Sequence, residues 1–242
     1  MKQVLARWLV AVAVALTALS STATAATAAT RPVDPFRAAA EATFTAALPA
    51  CSYADVLTAR RAYTYWATTL LDATYRLPSV YYPSDLVPTG LRGGGSIRQL
   101  AQADLRAMDK AARAAGARFA VSSAFRSFAR QATLFKDRVA AAGKAAALRT
   151  VARTGHSEHQ LGTAIDFRSY DGRTPFATTT AGIWMKANAW KFGWVMSYPS
   201  GKSAVTCYGY EPWHYRYVGR AEAADVHRSG LTLREWLWMH SG

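Results

Sequence analysis

Gly155-His156-Ser157-Glu158-His159-Gln160-Leu161-Gly162-Thr163-Ala164-Ile165-Asp166, answered downstream by Glu211-Pro212-Trp213-His214, sets the architecture of this chain. The first half can be read as a helix capping box, Ser157-x-x-Gln160. Against that, Gly162 arrives where a helix would continue, and the β-branched Thr163 and Ile165 follow it. The pattern therefore predicts a turn at Gly162 and a strand over Thr163–Phe167, with Ala164 and Asp166 on one face and Ile165 and Phe167 buried on the other. A continuous strand would put His159 and Asp166 on opposite faces; the turn lets them converge. Glu211 and His214 make the same demand. Pro212, which cannot donate to a ladder, predicts a bulge or a strand start there. In the strand beyond, Trp213–Val218, residues His214, Arg216 and Val218 share one face and Trp213, Tyr215 and Tyr217 the other.

One isolated histidine is more often structural than a ligand. Two, each with a carboxylate at turn-adjacent spacing, are the donor set of a catalytic zinc site: three ligands, one open position and a separate base for water. Spacing alone leaves open which carboxylate binds metal. The chain has no H-E-x-x-H and no glycine-rich phosphate loop after a strand. Of the remaining histidines, His156 reads as a neighbour of the site that either backs the ligands or faces solvent, and His227 and His240 as partners of helix-terminal carbonyls.

Upstream, Lys2 and Arg7 precede the apolar run Leu9–Leu19 and A-x-A sequences at Ala23–Ala25 and Ala26–Ala28, the pattern of a cleaved export signal over residues 1–28. The run is about half the ~20 residues needed to cross a bilayer, and no later stretch is long enough. Pro35–Leu48 and Tyr53–Tyr75 read as two helices, the second with Ser52 as a candidate N-cap, and Leu77–Gly95, with Pro78, Pro83, Pro88 and Gly93-Gly94-Gly95, as an irregular connection. Residues 29–95 are thus expected to be a helical extension, and 96–242 the catalytic domain. There, helices are expected over Ile97–Ala115, Phe128–Ala142 and Thr179–Phe192, and strands over Arg118–Ser122 and Trp194–Tyr198. A terminal helix should be capped by Thr232 with Glu235 and stapled by Leu231 on Trp236. Helices mixed with short strands indicate α+β rather than a parallel doubly wound sheet.

The formal net charge of +14 stays strongly positive without Lys2 and Arg7, which directs an exported protein to an anionic surface such as the cell wall. Export, together with the lack of any helix-turn-helix or RNA-binding signature, argues against nucleic acid. Cys51 and Cys207 pair as a disulfide in an oxidising compartment; two buried thiols are the alternative.

Ser157-x-His159 through Asp166, with Glu211-x-x-His214, resembles the zinc D-alanyl-D-alanine carboxypeptidases of the VanY type, and their VanX-type dipeptidase and L,D-carboxypeptidase relatives. The likeness extends to Ser123-Ala124-Phe125-Arg126-Ser127 with Gln131, and covers roughly Leu71–Leu237. It implies a Hedgehog/D-Ala-D-Ala peptidase-like fold, with a small antiparallel sheet flanked by helices. It also implies Zn²⁺ on His159, Asp166 and His214, and Glu211 as general base. Ser157 and Gln131 fall at substrate-contacting positions, and Arg126, between a strand end and a helix start, suits a developing oxyanion or a substrate carboxylate. Trp213 reads as a cleft wall or a core residue. Phe125 stands where the family pattern commonly has Tyr, removing a hydroxyl.

The implied function is a secreted monomer that removes the C-terminal D-alanine from peptidoglycan stem peptides. An L,D-carboxypeptidase or a wall endopeptidase would use the same site. A non-catalytic zinc-containing wall-binding module is opposed by Glu211, because a purely structural site prefers a closed ligand set.

Overall fold

Short stretches rich in β-branched and aromatic residues, each bounded by glycine or a turn, assemble into the sheet that organises the molecule. The computed structural model describes residues 47–57 and 66–240, all within one compact unit, Phe44–Gly242. The expected export segment and almost all of the helix expected over Pro35–Leu48 lie outside the described residues. In chain order the structure forms β1 (Val56–Leu57), β2 (Tyr75–Arg76), β3 (Leu86–Pro88), β4 (Ser96–Arg98), α1 (Gln99–Ala114), β5 (Phe119–Ser123), α2 (Phe128–Ala142) and α3 (Lys144–Thr150). A 3-10 turn, Glu158–Leu161, leads into β6 (Ala164–Ser169) and α4 (Thr180–Asn188). The order ends with β7 (Trp194–Met196), α5 (Ser203–Thr206), β8 (His214–Tyr217), α6 (Arg220–Ser229) and α7 (Leu233–His240).

The main sheet runs β5-β6-β8-β7 and is antiparallel throughout, giving the expected α+β class. One face is core: Phe119, Val121, Ile165, Phe167, Trp194, Tyr215 and Tyr217 pack against Ala101, Leu105, Met108 and Ala112 of α1 and Met185 of α4. Each large side chain so buried contributes roughly 1.5–3 kcal/mol, which fixes which face of every strand turns inward. The opposite face is left for Asp166, His214 and Arg216. At the C-terminus the capping box forms as expected: the Glu235 amide donates to Thr232 Oγ1 at 3.3 Å, and the Thr232 amide donates to the Glu235 carboxylate at 2.7 Å.

Three expectations fail. The helix over Tyr53–Tyr75 is absent wherever the structure describes it: Val56–Leu57 pairs in parallel with Tyr75–Arg76, and residues 66–74 run from a turn through irregular chain to a bend. The Asp72 carboxylate accepts the amides of Thr74 and Tyr75 at 2.7 and 2.8 Å, satisfying them outside any helix. Ser52 accordingly caps no helix among the described residues; its carbonyl accepts the Thr74 hydroxyl. The Pro/Gly-rich connection contains a hairpin, β3 against β4, whose loop is bonded to β5 through Val121 N–H and the Arg92 carbonyl at 2.7 Å. Finally, Trp213 belongs to a turn rather than to β8, so it does not join Tyr215 and Tyr217 on the core face.

The segment before the hairpin is strapped to the sheet by buried charge. Arg216, fully buried, donates to the carbonyls of Trp66 and Thr69 at 2.8 Å each. Arg234 is paired with Asp72 at 2.7 Å and also donates to the carbonyls of Val205 and Pro49. His156 is not solvent-facing: it is fully buried between the Asp72 carbonyl at 2.8 Å and the Asp55 carboxylate at 2.9 Å. The Cys51–Cys207 disulfide closes a loop of 156 residues over the same region. Cys51→Ser with Cys207→Ser is therefore expected to cost about 2–5 kcal/mol, read as a lower denaturant midpoint than that of the oxidised protein.

Candidate active site

Two backbone reversals and one line of strand register build the site. Ser157 caps the 3-10 turn, its hydroxyl accepting the His159 amide at 3.3 Å, while Gln160 reaches away to the carbonyls of Pro78 and Tyr81, so no capping box forms. Gly162 ends the turn at φ 74°, in the left-handed region. A Cβ there would also meet Arg98, Leu86 and Pro83 side-chain atoms at 3.0–3.2 Å, so conformation and space both call for glycine. The second reversal is a turn in which the His214 amide donates to the Glu211 carbonyl at 3.1 Å, placing Glu211 beside the start of β8. Across the sheet, Ser123 pairs with Asp166 and Asp166 with His214, a single row.

That row meets His159. Its Nε2 lies 3.1 Å from Asp166 Oδ2, and His214 Nδ1 lies 3.0 Å from Asp166 Oδ1. The other ring nitrogens are occupied: His159 Nδ1–H donates to the Ala124 carbonyl at 2.7 Å, and His214 Nε2–H donates to the Glu158 carboxylate at 2.9 Å. One nitrogen of each imidazole is thereby aimed at the shared carboxylate, with the outward partners typical of metal-ligating histidines. Ligand atoms of His159, Asp166 and His214 all lie within 4.8 Å of one another.

The electrostatics favour a cation at this point. Burial opposes ionisation of Asp166, but His159 and His214 outweigh it and hold the carboxyl well below its usual range. Burial likewise opposes a charge on His214, yet its bonds to Asp166 and Glu158 raise it to about 10. Glu158, whose burial is outweighed by Arg216, His214 and Ser197, stays ionised down to about 2. With two nitrogens, one carboxylate oxygen and a site already arranged around positive charge, the residues fit Zn²⁺.

Glu211 stands apart from this set. Its Oε2 is 3.9 Å from His214 Nδ1, and burial, against the attraction of His214, raises its carboxyl to about 7. Arg126 donates to Ser123 Oγ and to Gln131 Oε1, both at 2.9 Å, and touches Asp166 Oδ2 at 3.5 Å. A cavity of about 190 Å³ opens onto Arg126, Ser157, the three candidate ligands and Glu211. Trp213, 40% exposed, is a wall of that cavity and not a core residue. Gln131 is fully buried, accepting from Arg126 on one side and donating to the Ala152 carbonyl on the other.

The VanY family, described as D-alanyl-D-alanine carboxypeptidase, matches residues 95–220. The chain belongs to this family. Among curated VanY-like relatives, the putative carboxypeptidase YodJ of Bacillus subtilis is 37% identical over 69% of this chain and 65% of its own length, so the match spans just under two thirds of that protein. The solved LdcB LD-carboxypeptidase superposes with a TM-score of 0.65 at 35% identity, covering 70% of this chain and 86% of that one. A vancomycin resistance D,D-pentapeptidase VanY in complex with Zn(II) gives 0.62 at 33% identity, covering 71% and 99%.

Glu158 and Arg216 escaped the sequence reading. Both are buried and paired at 3.0 Å, and Arg216 lies two residues beyond His214 on its face, the one signal that could have flagged it. His240 Nδ1 bonds the Trp236 carbonyl at 2.7 Å, as expected near a helix end, whereas His227 stacks on Trp190 with ring centroids 4.1 Å apart.

Proposed function

We propose that this protein is an exported zinc D,D-carboxypeptidase that removes the C-terminal D-alanine of peptidoglycan stem peptides. The observation that carries this reading is one partly buried carboxylate, Glu211, standing free of a compact His159–Asp166–His214 donor set at the edge of an open cavity. Zinc held by these three residues would acidify a water and polarise the scissile carbonyl. Glu211 accepts the proton of the attacking water and returns it to the leaving amine. Arg126, fixed by Ser123 and Gln131, presents a preorganised guanidinium where negative charge develops, so the cost of orienting it falls on folding rather than on reaction. Ser157 and Trp213 border the space left for the terminal residue. The disulfide and the positive charge suit work outside the cytoplasm against an anionic wall.

The similarity to the LdcB LD-carboxypeptidase supports a second reading, in which the same site cuts tetrapeptide stems. Mass spectrometry of defined pentapeptide and tetrapeptide muropeptides, incubated with zinc-loaded protein, separates them. The expected result is loss of one alanine from the pentapeptide alone, abolished by chelation and restored by zinc. Cleavage of the tetrapeptide alone would replace the first reading by the second.

A further inference from the structure

We infer that a second cleft, on the other side of Arg126 from the catalytic cavity, is a subsite for a substrate residue bearing a free side-chain carboxylate, and that Arg130 selects it. The inference rests on the hydrolytic reading above and adds to it a chemical preference at a position away from the cut bond.

The cleft has a volume of about 420 Å³, and it shares Arg126 and Leu134 with the catalytic cavity. Ser123 in its wall and Asp166 in the ligand set contact the same guanidinium nitrogen of Arg126, at 2.9 and 3.5 Å. An extended chain advances ~3.5 Å per residue. A substrate with its reacting carbonyl at Arg126 therefore enters the second cleft with the next one or two residues.

Part of the lining is a backbone floor, with Phe125, Arg126, Arg130 and Leu134 beside it. In that floor Gly93, Gly94 and Gly95 lie directly against the edge strand β5, where register shifts between Val121 and Ser123. A Cβ on Gly93 would fall 1.9 Å from the Val121 carbonyl oxygen, and one on Gly95 would fall 2.8 Å from Ala124 Cβ. Side chains are thus excluded from this seam, which is pinned at both ends by Val121 N–H to the Arg92 carbonyl, 2.7 Å, and Phe125 N–H to the Ser96 carbonyl, 2.8 Å. A rigid, side-chain-free floor gives an extended peptide a surface to lie along.

The slot is charged on one sign only. Its lining includes Arg126 and Arg130 and no acidic residue. Arg126 is already committed to Ser123, Gln131 and Asp166. Arg130, on the first turn of α2, is exposed and makes no ion pair among the described residues. Its planar guanidinium is matched by a carboxylate in a bidentate geometry that neither a carboxamide nor an ammonium can reproduce.

The test uses the zinc-loaded full chain and two synthetic pentapeptides ending in D-Ala-D-Ala. They are identical except that the third residue is a diamino diacid with its side-chain carboxylate free in one and amidated in the other. We expect kcat/KM to favour the free acid about tenfold or more, the range of a hydrogen bond to a charged group, and the preference to shrink with added salt. Arg130→Gln collapses the ratio of the two kcat/KM values, and Arg130→Glu inverts it. A ratio near one in the native chain, or one that neither substitution moves, overturns the inference. Titration of both peptides into the Glu211→Gln protein, with and without Arg130→Gln, reads the same preference as a ratio of Kd values. If neither peptide is cut but this binding preference holds, the catalytic reading fails and the subsite stands.

Discussion

Glu211→Ala is expected to lower kcat by about 10²- to 10⁴-fold, the usual contribution of a positioned proton acceptor, while the protein still binds one zinc per chain. The division follows from distances. Asp166 lies 3.0–3.1 Å from a nitrogen of each histidine, whereas Glu211 approaches His214 only to 3.9 Å. Removing the first dismantles the donor set; removing the second leaves it whole. Asp166→Ala should accordingly lose zinc and activity together, and Glu211→Gln, which keeps the volume, should behave like Glu211→Ala. Metal content by elemental analysis alongside turnover on a pentapeptide decides the matter. Turnover of Glu211→Ala near the native rate would remove Glu211 from the mechanism, and loss of zinc from that variant would make it a ligand.

Glu158→Ala should destabilise the protein by about 3–5 kcal/mol, since it breaks a buried ion pair from one side, and should weaken zinc binding by about 10–100-fold, as loss of a ligand-orienting partner does. Glu158 takes 2.9 Å and 3.0 Å bonds from His214 and Arg216, and the Ser197 hydroxyl at 2.6 Å. Without it Arg216, fully buried, keeps only carbonyl partners, and His214 loses the bond that commits Nε2 and frees Nδ1 for metal. Denaturant unfolding of the zinc-free protein measures the first effect, and competition with a chromophoric chelator the second. Lost stability with unchanged zinc affinity would make Glu158 a structural counter-ion alone. Ser197→Ala, removing one neutral donor, should cost only about 1 kcal/mol.

What could be read from the sequence depended on how local the cause was. The turn at Gly162 and the reversal at Pro212 were legible because each is forced within a few residues: a β-branched run cannot continue through a left-handed glycine, and proline cannot enter the ladder. Both bring their carboxylates to the histidines as those constraints require. Glu158 was not legible. Its partners Arg216 and Ser197 are 58 and 39 residues away, and nothing near Glu158 announces burial. The segment 53–75 misled for the opposite reason. Its apolar spacing is helical, but among its described residues Leu70 and Leu71 serve two different clusters, and Tyr53, Val56 and Leu57 stay exposed, so these share no single buried face. Phe128–Ala142, by contrast, formed as read, because Ser127 before it and Gly143 after it specify both ends.

The row Ser123, Asp166, His214 has a further meaning. Two of the candidate ligands come from adjacent strands and stand opposite each other only in this register. A slip of one residue in the pairing of β6 and β8 would turn either ligand into the hydrocarbon side of the sheet. The third ligand arrives only after the chain has reversed at Gly162. A mispaired sheet therefore has no three-donor pocket to offer: the set that fits a metal exists only where the strands are aligned in this one register.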